Sequence, residues 1–197
     1  LAIHRGYFTH RDRAGNLLIR IPATPGCEQA PSLLLQGHLD MVLAKEPWVK
    51  QDLEKEPISL VLDGNILRAD GTTLGADNGV GLCNMMALLD ADDLRHPPLE
   101  LLFTVQEEQG LVGILEFDMN LLQSRMMINM DSGDPDCMII GAAGSAKFQI
   151  SRRCKTVPAA DQALQISISG LQGGHSGLEA GKNRGSAIDL AGRDVLQ

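Results

Sequence analysis

Aromatic residues make up only 3% of this chain, so its core must be aliphatic, built from Leu, Ile, Val, Met and Ala. A basic cluster is also missing. With a formal net charge of −8, this argues against nucleic acid or an anionic membrane surface as partner. No apolar run approaches the ~20 residues of a membrane span. The opening stretch, LAIHRGYFTHRDRAGN, has no signal-peptide architecture and no initiator Met, so the true N-terminus is expected upstream. The four cysteines, Cys27, Cys83, Cys137 and Cys154, show no C-x-x-C spacing. They read as reduced thiols of a cytoplasmic protein, not as a disulfide or thiolate-zinc framework. Any metal site must therefore use His, Asp and Glu. What the chain does have is 197 residues, 44% of them hydrophobic, enough for one large domain or parts of two.

Hydrophobic patterning predicts an alternation of strands and helices. SLLLQG (32–37), LELLFTV (99–105) and RMMINM (125–130) are short apolar runs of the kind buried on both faces of a parallel sheet. ISLVLDGNILRAD (58–70) reads as a hairpin turning at Asp63-Gly64-Asn65. Residues 78–93 carry apolar side chains at helical spacing, and 111–124 are expected to be helical in part. The fold class implied is α/β, a mostly parallel sheet flanked by helices. Past GAAGS (141–145) the pattern changes. KFQISRRC and ALQISISG alternate like strands with one wet face, and SAIDLAGRDVLQ reads as a helix. A domain boundary is expected near residue 144, separating 1–143 from a smaller α+β domain beginning at 144–197.

Acidic groups collect at the predicted strand ends. His38 and Asp40, in GHLD, stand at i and i+2 on one face of an extended segment. Glu107 and Glu108 follow the second strand, and Asp131 follows the third. Asp77 sits in a glycine-bounded turn, GTTLGADNGVG, ahead of a helix. In a parallel α/β sheet, ligands bind at the carboxyl ends of strands, where these six groups would converge. No Lys or Arg lies in the same four loops to offset them. A bound cation would, and one His among several carboxylates suits Zn²⁺, Mn²⁺ or Co²⁺. There are more acids than one tetrahedral ion needs, so two ions fit better. One of the paired glutamates would then bind metal while its neighbour carries protons. Taken singly, each residue has a plainer reading: His38 as a structural histidine, Asp77 as a helix cap, Asp131 as a turn residue, Glu107-Glu108 as a solvated loop. The repetition over four segments is what those readings leave unexplained.

The stretches GHLDMV, GTTLGADNGVG, TVQEEQG, INMDSGD and GLQGGHSG resemble, in order and spacing, the dinuclear-zinc metallopeptidases related to aminoacylase and carboxypeptidase G. The likeness is greatest to the Xaa-His dipeptidase branch and covers residues 14 to 197. It implies a two-zinc hydrolase of dipeptides with a zinc-peptidase α/β domain and a lid that forms a homodimer. Carried over, Asp77 would bridge both ions, His38 and Asp131 would hold one, and Glu108 the other. Asp40 would hydrogen-bond the His38 ring, Glu107 would be the general base, and Asn78 and His175 would meet the substrate. The Asp77–Asn78 peptide would be cis. The family's last histidine ligand, located after the lid, has no match here, so the chain is expected to be a fragment of a longer member. An aminoacylase, a tripeptidase or a non-catalytic metal-binding protein are the other readings the residues allow.

Overall fold

The computed structural model of the chain describes residues 1–133, 136–142, 144, 146, 148–155, 158, 165–174 and 180–196. They fall into two compact units, Leu1–Ala142 and Ala143–Gln197. In the first, β1 (Phe8–Arg11), β2 (Leu17–Ile21) and β3 (Leu33–His38) are followed by a hairpin of β4 (Leu60–Asp63) and β5 (Ile66–Ala69). Helix α1 (Ala76–Asp90), β6 (Leu99–Thr104), the one-turn α2 (Val112–Leu115) and β7 (Met126–Asn129) complete the unit. Five strands form one sheet in the order β1-β2-β6-β3-β7. The β3, β6 and β7 strands run parallel, aligning His38 with Thr104 and Gln36 with Asn129. The β1-β2 hairpin adds two antiparallel strands beside β6, so the sheet is mixed, with its parallel half carrying the candidate residues.

Alternation along the strands sends side chains to two cores. Leu35, Leu99, Leu101 and Phe103 pack with Ile19, Ile21, Met85 and Leu89 on the α1 face. Leu18, Leu34 and Leu102 pack with Phe117 on the other. All six residues of β6 are buried, as its position in the middle of the sheet requires. On α1, Gly81, Met85 and Leu89 are buried at four-residue intervals, one stripe along the helix against the sheet.

Two expectations need correction, and one is met in part. RMMINM does form a strand, but Met126, Met127 and Ile128 are about half exposed, because β7 is the outer strand of the sheet and has a neighbour on one side only. The segment 111–124 is helical in part, as expected, at α2 and in a 3-10 turn at Met119–Leu121, the Asp118 side chain accepting from the Asn120 N–H at 3.0 Å to start that turn. The described residues of 147–154 and 163–170 form no strand. In the second unit a 3-10 turn, Ala180–Lys182, precedes helix α3, Ala187–Leu196, as the closing SAIDLAGRDVLQ predicts.

The β1-β2 hairpin, absent from the sequence reading, is held by polar side chains. Asp12 accepts from the N–H groups of Gly15 and Asn16, both at 2.8 Å. Asn16, fully buried, donates to Asp12 at 2.7 Å and to the Gly113 carbonyl at 2.8 Å, and accepts from the Val105 N–H at 3.1 Å. It thus ties the hairpin to the turn that carries Glu107. Asn16→Leu is expected to leave buried groups of Val105 and Gly113 unpaired, each costing about 1–3 kcal/mol. Thermal unfolding of the variant should show a fall of several degrees in the melting midpoint.

Candidate active site

The carboxyl ends of β3, β6 and β7 bring His38, Glu107, Glu108 and Asp131 together, and the turn into α1 adds Asp77. His38 is fully enclosed (1% exposed) at the end of β3. Its Nδ1 lies 2.8 Å from the Asp40 carbonyl; a proton on Nδ1 would donate there and leave Nε2 as the free, ligating nitrogen. Nε2 lies 2.9 Å from Asp77 Oδ1 and 3.7 Å from Asp131 Oδ2. His38, Asp77 and Asp131 offer ligand atoms within 4.8 Å of one another, as do His38, Glu107 and Glu108. Among the described residues no such set contains both Asp77 and Glu108.

Asp40 reaches the site differently from the way the resemblance implies. Its backbone carbonyl, not its carboxylate, meets the His38 ring; the nearer carboxylate oxygen is 3.6 Å from Nδ1. The carboxylate accepts instead from the N–H groups of Glu107 and Glu108, both at 3.1 Å. The physical reason is local. Gln106 turns the chain with a left-handed φ of 57°, pointing two successive N–H groups toward β3, and the Asp40 carboxylate is the acceptor within reach. Asp40 therefore fixes both the histidine and the glutamate pair.

Helix α1 begins with the same tight steering. Gly75 is left-handed (φ 77°), Asp77 and Asn78 have non-helical angles, and the Asp77–Asn78 peptide is cis, as the resemblance implies. The result turns Asp77 out toward His38, with its side chain 62% exposed. Asn78 turns inward. It is 4% exposed, and its Nδ2 donates to the Met130 carbonyl at 3.0 Å and to Asp131 Oδ1 at 2.9 Å. His175 lies outside the described residues.

The electrostatics match a cation site. Burial, together with Asp77, raises the Asp131 carboxyl above the ordinary aspartate range. Burial raises Glu107 as well, against the pull of His38 and with the charges of Glu108, Asp131 and Asp40. Burial alone would lower the His38 imidazole, yet Asp77, the Asp40 carbonyl, Asp131 and Glu107 bring it above the usual histidine value. Burial leads for the two carboxyls, and the carboxylates crowded around one ring without a counter-charge decide the direction for His38. Among the described residues no Lys or Arg pairs with them. A divalent ion would supply that counter-charge, and a nitrogen with several carboxylate oxygens is the donor set Zn²⁺ or Mn²⁺ accepts. The residues present fit such an ion.

Neutral residues of the site escaped the sequence reading. Asn129 Nδ2 donates to Gln36 Oε1 at 2.6 Å, and Gln36 Nε2 to Thr104 Oγ1 at 3.1 Å. Asn129 Oδ1 accepts from the Asp131 N–H at 2.9 Å, so a side-chain ladder across the three parallel strands ends on Asp131. A cavity of about 240 Å³ opens beside it, with Glu107, Asp131 and Asn129 among its lining and Leu34, Leu102 and Ile114 in its apolar part.

No family model matches the chain. It is 40% identical over 191 residues to the cytosol non-specific dipeptidase of Escherichia coli, covering 96% of this chain and 39% of that protein. Its fold superposes on the aminoacylhistidine dipeptidase of Vibrio alginolyticus with a TM-score of 0.65 at 31% identity, over 98% of this chain and 40% of that one. A tripeptidase from Staphylococcus aureus matches 66% of this chain and 35% of its own, with a TM-score of 0.53 and 25% identity. The chain thus spans about two fifths of the length of the dipeptidases it matches. Over nearly the whole of its own length, the chain is similar in sequence and in fold to a stretch of the aminoacylhistidine and cytosol non-specific dipeptidases.

Proposed function

We propose that the protein carrying this chain is a metal-dependent dipeptidase, acting on dipeptides with free termini, those ending in His included. The observation that carries this reading is the enclosed His38 with its Nε2 turned to Asp77 and Asp131 while Glu107 and Glu108 close the other side. His38, Asp77 and Asp131 would hold one ion, Glu108 would contribute to a second, and Asp77 would bridge the two. Zn²⁺ is the favoured metal, with Mn²⁺ or Co²⁺ as substitutes. Ions bound there supply Lewis acidity, lowering the pKa of water from ~15.7 toward ~7 and polarising a carbonyl.

The chain's own residues do the rest. Asp40 holds the His38 ring through its carbonyl and the Glu107-Glu108 turn through its carboxylate, so that both sides of the site are fixed by one residue. Glu107, only partly exposed and with its pKa raised by burial, is suited to take the proton of the attacking water and return it to the leaving amine. His175 would meet the substrate, with 1–143 as the catalytic domain and 144–197 as the beginning of a lid and dimerisation domain. Among the described residues no helix is long and apolar enough to cross a membrane. We place the protein in the cytoplasm, as the name of the E. coli relative places that protein.

The test is hydrolysis by the gene product carrying this chain of a panel of dipeptides, tripeptides and N-acyl amino acids, with and without a chelator. Dipeptide cleavage lost to chelation and restored by Zn²⁺ is the expected result. Preference for tripeptides would favour the likeness to the S. aureus tripeptidase, and chelator-resistant cleavage would sink the metal reading. Asp77→Ala should release all bound metal, measured by elemental analysis, because a bridging carboxylate serves both ions. Full metal content in that variant would remove Asp77 from the ligand set.

A further inference from the structure

Asn78 is a neutral side chain placed where a charged site has no obvious use for one. Its carboxamide lies between β3 and α1, over two glycines. A Cβ on Gly37 would collide with Asn78 Oδ1, and a Cβ on Gly81 would lie 2.6 Å from the same oxygen and 2.6 Å from the Met130 carbonyl. The slot is therefore closed on both sides and shaped for a flat group. Asn78 Oδ1 is buried without a hydrogen-bond partner. The amide is nonetheless this way round for a clear reason. Flipped, it would set its oxygen against two acceptors, the Met130 carbonyl and Asp131 Oδ1, whereas the observed orientation gives each of them an N–H, at 3.0 Å and 2.9 Å.

We infer that Asn78 is a positioning residue that occupies one oxygen of Asp131 and leaves the other as its single ligand atom, thereby favouring a small four-coordinate ion over a larger one of higher coordination. The inference rests on the metal reading above and adds a selectivity to it. With Oδ1 taken by Asn78, only Oδ2 faces the His38 nitrogen, 3.7 Å away. The Asp131 backbone cannot swing to present both oxygens, because its own N–H is held by Asn129 at 2.9 Å and the preceding Met130 N–H by the Gln36 carbonyl at 2.8 Å. A carboxylate pinned this way binds through one oxygen. That suits tetrahedral Zn²⁺, which takes few ligands at fixed angles, better than ions such as Mn²⁺ that accept octahedral oxygen shells. Partners that orient ligands in this way typically alter metal affinity 10–100-fold.

The experiment compares Zn²⁺ and Mn²⁺ affinities of the whole chain with those of Asn78→Ala and Asn78→Leu. Zn²⁺ is measured by competition with a chromophoric chelator and Mn²⁺ by electron paramagnetic resonance of the free ion. Asn78→Leu keeps the branch at Cγ but is bulkier and not flat, so it is a second variant without the donor whose packing error runs opposite to that of the alanine one. Zn²⁺ binding should weaken by ~10–100-fold in both variants while Mn²⁺ binding falls by less than about threefold, shifting the preference between the ions. The metal-free melting midpoint, recorded alongside, separates lost packing from lost ligand geometry. An equal loss for both ions would overturn the proposal, since a merely structural role makes no distinction between them. Unchanged affinities with a raised KM would overturn it in favour of direct substrate contact by Asn78. If the parent chain bound no Zn²⁺ at all, the metal reading would fall and this inference with it. Parent binding with unaltered variants removes the inference alone.

Discussion

Glu107→Gln is expected to lower turnover by ~10²–10⁴ and to leave metal content unchanged. The amide is nearly isosteric with the carboxylate and cannot accept a proton from water at neutral pH. Because the Asp40 carboxylate grips the backbone N–H of residue 107 and not its side chain, the turn should survive the substitution. The raised pKa of Glu107 follows from burial and from the negative charge of Glu108, Asp131 and Asp40, so a divalent ion among those groups should draw it back toward the ordinary range. Measurement of kcat together with zinc content decides the assignment. Parallel loss of metal and activity would mean that Glu107 is a ligand, as its membership of a set with His38 and Glu108 also permits.

A large stability effect is expected far from that chemistry. Glu100, at the start of β6, has a side chain 3% exposed and pairs with Arg20 at 3.0 Å. It also accepts from the N–H groups of Gln123 and Ser124, at 2.9 and 2.8 Å. Arg20 donates further to the Leu121 carbonyl and lies over the Phe8 ring. Removing one member of a buried pair strands the other, and Glu100→Ala should cost about 3 kcal/mol, or roughly 6–12 °C in melting midpoint. The pH dependence has a definite sign. Burial works to raise the Glu100 pKa, but the Ser124 N–H, Arg20 and the Gln123 N–H outweigh it and hold the pKa below the usual glutamate value. The ionised group therefore contributes its full stability above the unfolded-state pKa of ~4.3. That contribution is lost as pH falls through the lower folded-state value. Acid titration of the melting midpoint should show a shallower decline below pH 4 in Glu100→Gln than in the parent, and parallel slopes would assign the acid sensitivity to other carboxylates.

The residues legible in the sequence are those whose physics works at short range or by charge. SLLLQG and LELLF announce buried strands because a continuous apolar run has few other uses, and β3 and β6 are where it places them. Acids repeated at strand ends point to a cation because nothing else in the neighbouring loops balances them. RMMINM misleads over burial, since apolarity states a preference for neighbours and not how many the sheet supplies. The β1-β2 hairpin is hidden because polar residues such as His10, Arg11 and Arg20 alternate through it, and its stability comes from Asp12 and Asn16 reaching backbone groups. A signal was available in the DRAGN turn between two short apolar stretches. Gly37 and Gly81 are the least legible of all. Two missing Cβ atoms mean little until separate segments meet, and their meaning lies entirely in that meeting.

Strand β6 links the buried ion pair to the candidate site. Its second residue, Glu100, pairs with Arg20 of β2, and the turn that follows its last residue carries the glutamates of the candidate site, with Asp40 braced against them. At ~3.3 Å per residue, the four positions from Glu100 to the end of the strand at Thr104 alone span about 13 Å, beyond the 7–10 Å over which substitutions ordinarily influence one another. An engineer could therefore treat the strand as two independent dials. Variants chosen for heat or acid tolerance at residues 20 and 100 can be combined freely with variants chosen for substrate or metal at residues 77, 78, 107 and 131, and the combined effects should simply add.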